Sequence, residues 1–191
     1  MLKINLKNYQ LTLILLSTSF LVACGGNQVQ PTNTAASALP MNEKITSISL
    51  PQIAFVKSGP DINHKAVTEC NLPAKFSVLF KKQAEDKGIS VKVLSEENSN
   101  VNGYYLKTEF THIHNGGNAF IGHRKYTQMQ LILFKDGKPV SQGIFGRTSG
   151  GGMFAGFKGS CSVLGRTVEA NAEDAVKWLE NPVNNSYHGD S

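Results

Sequence analysis

Residues 1–24 constrain this chain more than any other stretch. Lys3 and Lys7 precede an apolar run from Leu11 to Val22, broken only by the hydroxyls of Thr12, Ser17, Thr18 and Ser19, and Leu21-Val22-Ala23-Cys24 closes it. A basic start, a short apolar stretch and a small residue before a cysteine make an export signal ending in a lipobox. The apolar stretch is shorter than a comfortable bilayer span. Residues 1–23 are therefore expected to be a lipoprotein signal peptide, with Cys24 the lipidated first residue of the mature chain. A single acyl chain anchors marginally, at about 0.8 kcal/mol per buried methylene, whereas the two or three chains of a lipidated cysteine hold a protein on a membrane almost permanently. Palmitate or a similar acyl group on Cys24 is the only cofactor expected.

The mature chain beyond the signal has about 170 residues, the size of one domain plus its ends. The formal charge of +5 falls to about +3 once Lys3 and Lys7 are removed. Lys and Arg are scattered among Asp and Glu, which argues against nucleic acid and for an ordinary solvated surface. With Cys24 acylated, Cys70 and Cys161 form an even pair in an oxidising compartment, and a disulfide between them is expected.

Residues 24–44 are Gly, Asn, Gln, Thr, Ala, Ser and Pro with almost nothing bulky to bury, a composition that predicts a flexible lipidated tether. The folded domain is expected over 45–182. Ile45 to Val56 is β-rich but interrupted by Pro51, which predicts an edge or bent strand. Apolar Phe76, Leu79, Phe80 and Ala84 recur at helical spacing between Pro73 and Gly88, predicting a first helix. Val91, Val93 and Leu94 predict a short strand. Tyr104, Leu106, Thr108 and Phe110 alternate with polar neighbours, Tyr126 to Phe134 does the same, and Asp136-Gly137 marks a hairpin leading into Val140 to Phe145. After the Gly-rich stretch 146–159, Leu164, Val168, Ala172, Ala175, Val176 and Leu179 lie on one helical stripe that Pro182 ends. Residues 183–191 are expected to be a disordered tail. The order predicts an α+β domain: an antiparallel sheet of about four to five strands with two helices on one face.

The pieces Phe110-Thr111-His112-Ile113-His114-Asn115-Gly116-Gly117-Asn118, Gly122-His123-Arg124, Met129-Gln130-Leu131, Asp136-Gly137-Lys138 and Ser149-Gly150-Gly151-Gly152-Met153, with the closing amphipathic helix, resemble the bacterial lipoprotein family known as domain of unknown function 4410. The resemblance runs over residues 103–179. It implies an envelope lipoprotein domain of small α+β type, with no catalytic residues to carry over. The segment Phe120-Ile121-Gly122-His123-Arg124 departs from it.

Candidate chemistry is sparse. Gly151 and Gly156 have the spacing of a phosphate loop, but Phe157 stands where lysine is needed, so no nucleotide is expected. Ser160 and Ser162 lie outside any Gly-x-Ser-x-Gly elbow, and Glu96 and Glu97 are adjacent on a polar turn. The expectation is therefore no enzyme, with a hydrolase the least favoured alternative. His112 and His114 share one face at a strand end, and His123 returns near them after a turn, so the three are the candidate metal ligands. Met153, Phe154 and Phe157 among glycines are candidate partner or lipid contacts. Gly25 after the lipidated cysteine lacks the acidic inner-membrane retention signal. In a Gram-negative host this points to the outer membrane, on its periplasmic face, with surface exposure left open. The function expected is a non-enzymatic interaction or assembly module of an envelope complex, bound to the membrane by its lipid and meeting envelope proteins. The alternative is a metal- or small-ligand-binding lipoprotein.

Overall fold

A computed structural model describes residues 43–118, 122–150 and 158–190, the side chains of Asn118 and His123 excepted. The expected signal peptide (residues 1–23), Cys24, nearly all of the expected tether and the cluster Met153, Phe154 and Phe157 lie outside the described residues.

Among the described residues ten elements succeed one another: β1 (Ser47–Pro51), β2 (Phe55–Val56), α1 (His64–Cys70), α2 (Leu72–Asp86), β3 (Ser90–Leu94), β4 (Tyr104–Asn118), β5 (Gly122–Lys135), β6 (Lys138–Ser149), α3 (Ser160–Leu179) and β7 (Ser186–Gly189). The strands form one seven-stranded sheet in the order β3-β1-β4-β5-β6-β7, with β2 also paired to β4. These three helices cover one face.

The α+β class holds, but the expected antiparallel sheet of four to five strands with two helices is corrected on each count. Only β4, β5 and β6 form an antiparallel meander. β1 runs parallel to both β3 and β4, β2 parallel to β4, and β7 parallel to β6. The reason is connectivity: a helical crossover separates β1 and β2 from β3, and another separates β6 from β7, and such crossovers return the chain in the same direction. Pro51 does not sit on an edge strand. β1 is flanked on both sides, and Pro51 is its last residue, where the strand bends away before β2 resumes against β4. A third helix, α1, precedes the expected first one; Asn63 caps it by accepting from the Ala66 N–H at 2.9 Å, and Asn71, at φ 47°, turns the chain into α2.

The residues expected to fray, 183–191, instead carry β7. Trp178 Nε1 donates to Val183 O at 3.0 Å, the Asn184 side chain accepts from the Gln142 N–H at 3.1 Å, and His188 stacks on Phe145 with centroids 4.9 Å apart. Side chain to backbone bonds of this kind hold a short polar strand that has no apolar face to bury.

Between sheet and helices lies the core of Phe76, Phe80, Phe110, Met129, Leu131, Leu133, Phe145, Val168 and Trp178. Phe76 meets Phe110 edge to face at 6.4 Å, tying α2 to β4. Cys70 and Cys161 are joined as a disulfide, Cα atoms 5.0 Å apart, fastening the end of α1 to the first turn of α3. Among the described residues no helix is long and apolar enough to cross a membrane.

Candidate functional site

The alternation along β4 is broken once. A bulge at Thr111 shifts the register against β5 between Phe110 and His112. Before it, Leu106, Thr108 and Phe110 face the helices; after it, Ile113 does, and His112 and His114 are carried to the opposite face of the sheet. A bulge has this effect because one extra residue inverts the side-chain parity of everything beyond it.

Opposite these histidines the segment Pro60–Asn63 is sewn to β4, the Ile113 N–H donating to Asp61 O at 2.8 Å and the Asn63 N–H to Ile113 O at 2.9 Å. Between that segment and the strands lies a cleft of about 450 Å³, lined by Asp61, Asn63, His112, His114, Asn115 and Tyr126 among others. Its polar groups are held in a chain. Tyr126 Oη donates to Gln128 Oε1 at 2.7 Å, which orients the amide so that Nε2 donates to Thr111 Oγ1 at 3.0 Å and faces His112 Nδ1 at 3.0 Å. His112 Nδ1 is thereby an acceptor, so the imidazole carries its proton on Nε2. That Nε2 stands 3.7 Å from Asp61 Oδ2, too far for a direct hydrogen bond. The Tyr126 hydroxyl is pushed up to about 12, chiefly by burial and next by the Tyr187 hydroxyl.

Of the expected metal ligands, only the His112 and His114 side chains are among the described residues. Among the described residues no three His, Cys, Asp or Glu side chains converge. The His114 ring is turned over Gly116, where Nε2 would lie 2.5 Å from a methyl at that position. The His123 side chain is outside the described residues. His112 also presents a protonated Nε2, whereas a ligating imidazole donates its other nitrogen to a second group.

Two polar clusters that the residue patterns did not announce complete the picture. Arg147 on β6 bonds Asp174 on α3 and Asp190 after β7, and Asp190 also accepts from the Thr148 N–H at 2.8 Å. Chiefly through that N–H, the Asp190 carboxyl is held below its usual range. On the helix side of β5, Lys125 is fully buried and donates to Gly116 O at 2.9 Å and Gly117 O at 3.2 Å; burial pushes its pKa down. The cleft residues Asp61 and Tyr126, and Gln128 that links Tyr126 to His112, carry no signal in the residue pattern, because Asp61 is remote in sequence and the other two are ordinary outward positions of a strand.

No family model and no curated protein matches the chain. Solved structures do. A Xanthomonas campestris protein of the family known as domain of unknown function 330 is similar at 12% identity and a TM-score of 0.48, over 76% of this chain and 90% of its own. A minor lipoprotein from Acinetobacter baumannii is similar at 9% identity and a TM-score of 0.45, over 72% of this chain and 94% of its own. A PelC dodecamer from Paraburkholderia phytofirmans is similar at 15% identity and a TM-score of 0.45, over 75% and 94%.

Proposed function

We propose that this chain is a lipid-anchored envelope protein whose α+β domain is a non-enzymatic interaction or assembly module, held by Cys24 on the periplasmic face of the outer membrane. One observation carries the reading. Of three cysteines, Cys70 and Cys161 are paired with each other across 91 residues, which leaves Cys24 alone at the position the lipobox requires. A structural disulfide suits an oxidising compartment outside the cytoplasm, where a lipobox delivers its protein. The contact surface in this reading is the sheet face that no described helix covers. Lys107, Glu109, Gln130, Ile132, Gln142 and Ile144 lie on it in a mixed polar and apolar array, and Ile144 is 40% exposed. Strand addition at the β3 edge is disfavoured, since Lys92 stands at the middle of that short strand.

Photo-crosslinking in intact cells tests the module. A crosslinking amino acid at Ile144 is expected to trap a defined envelope protein, and one at Lys65 on α1 is not. No adduct at 144, or the same adducts at both positions, contradicts the proposal.

A second reading, a small-ligand-binding lipoprotein, is favoured by the cleft at His112, where a protonated Nε2 and the Asp61 carboxylate face the same opening.

A further inference from the structure

We infer that the cleft between Pro60–Asn63 and the outer face of β4 and β5 binds a polyhydroxylated ligand, a sugar ring of an envelope glycan, through His112 Nε2 and the Asp61 carboxylate. The assignment deepens the second reading above and is independent of anchoring through Cys24.

The central observation is a donor and an acceptor that face each other, too far apart to bond directly. The chain Tyr126 to Gln128 to His112 makes Nε2 a donor, and Asp61 Oδ2 is an acceptor 3.7 Å away. An oxygen at about 2.8 Å from each meets both with normal hydrogen-bond lengths. Such an atom must accept from Nε2–H and donate to the carboxylate at once. A metal ion or an ammonium group cannot accept. A fully deprotonated anion cannot donate, and Asp61 repels any anion. A hydroxyl group does both, whether that of water or that of a polyol which takes its place.

The surroundings extend the same logic. Asp61 is the only Asp, Glu, Lys or Arg among the described lining residues, so none of them offsets the charge of an anionic ligand. Asn63, His114 and Asn115 add polar groups, and Tyr126 adds to the lining an aromatic side chain, the kind on which the C–H face of a pyranose packs. The volume, about 450 Å³, lies within the range of about 300–1,000 Å³ common to small-molecule sites. The backbone at Asp61 and the direction of the imidazole are set before a ligand arrives, because the Pro60–Asn63 segment is bonded to Ile113 and the imidazole tautomer is set from the far end of the chain. A site ordered in advance loses less on binding.

Calorimetry on the full chain purified in detergent tests this, with N-acetylglucosamine, its β-1,4-linked tetramer, spermidine and zinc sulfate as separate probes. Saturable heat with the sugars is expected, weakened about tenfold or more by Asp61→Asn, which removes a charged acceptor. The Asp61 side chain is 64% exposed, so the variant is expected to melt like the parent. Tyr126→Phe keeps the ring but frees the Gln128 amide, and is expected to weaken sugar binding severalfold. No sugar heat, sugar binding indifferent to both variants, or heat confined to zinc or spermidine overturns the assignment.

Discussion

Arg147 holds Asp174 through two parallel bonds, Nε to Oδ2 at 2.6 Å and Nη2 to Oδ1 at 2.7 Å, and so clamps the last long strand of the meander to α3. The Asp174 side chain is only 13% exposed, and these bonds, more than the nearby Asp190, hold the guanidinium proton more firmly than in free arginine. Removing the arginine strands a largely buried carboxylate. Arg147→Ala is expected to lower unfolding stability by about 2–3 kcal/mol, and Arg147→Lys by about 1 kcal/mol because lysine cannot make the paired bonds. Urea titration of both variants checks the order.

The Cys70–Cys161 bridge closes a loop of 91 residues, for which chain-entropy models give about 4–5 kcal/mol. Replacing both cysteines by alanine is expected to lower the urea midpoint by a large part of that amount. Adding reductant to the parent should reproduce the loss, and should leave the double variant unchanged.

Gly146 lies beneath two tyrosines. A methyl placed there would lie 2.6 Å from Tyr187 Oη and 2.7 Å from Tyr126 Oη. Gly146→Ala is therefore expected to cost about 1–2 kcal/mol and to displace both rings. Nuclear magnetic resonance should show the Tyr126, Gln128 and His112 signals moving together, since they share one chain of bonds.

Tyr105 is fully buried on the face away from the helices, its ring 6.1 Å from that of Phe134. Burial, and then Glu97, raise its hydroxyl from 10.0 to about 12. The folded pKa is above the unfolded one, so the stability this group contributes is complete below pH 10 and is lost as pH rises toward 12. The parent should lose stability across that window, with tyrosinate absorbance appearing on unfolding. Tyr105→Phe should flatten the loss.

The meander was the most legible part of the fold. Tyr104 to Phe110 and Tyr126 to Phe134 alternate, and Asp136-Gly137 forms the turn with both residues at positive φ, 49° and 77°. The α2 and α3 stripes were legible for the same reason, a period that matches the face they bury. Parallel pairing was not legible, because nothing local in Ser47–Pro51 or Ser186–Gly189 says which strand lies beside it. β7 was hidden more deeply: its support comes from Trp178, Phe145 and Arg147, all far off in sequence or in another element. At the cleft, His112 and His114 lie two residues apart on one strand and line the same opening. The facing of His112 toward Asp61 and its tautomer depend on a bulge and on Tyr126, which no spacing along the chain reveals.

Attachment through Cys24 is the central claim, and metabolic labelling with palmitate followed by membrane sedimentation tests it most directly. The parent is predicted to carry label and to pellet with outer membranes, and Cys24→Ser to do neither while still forming the Cys70–Cys161 bridge. A parent without label, or a Cys24→Ser chain that remains labelled and membrane-bound, would contradict the account.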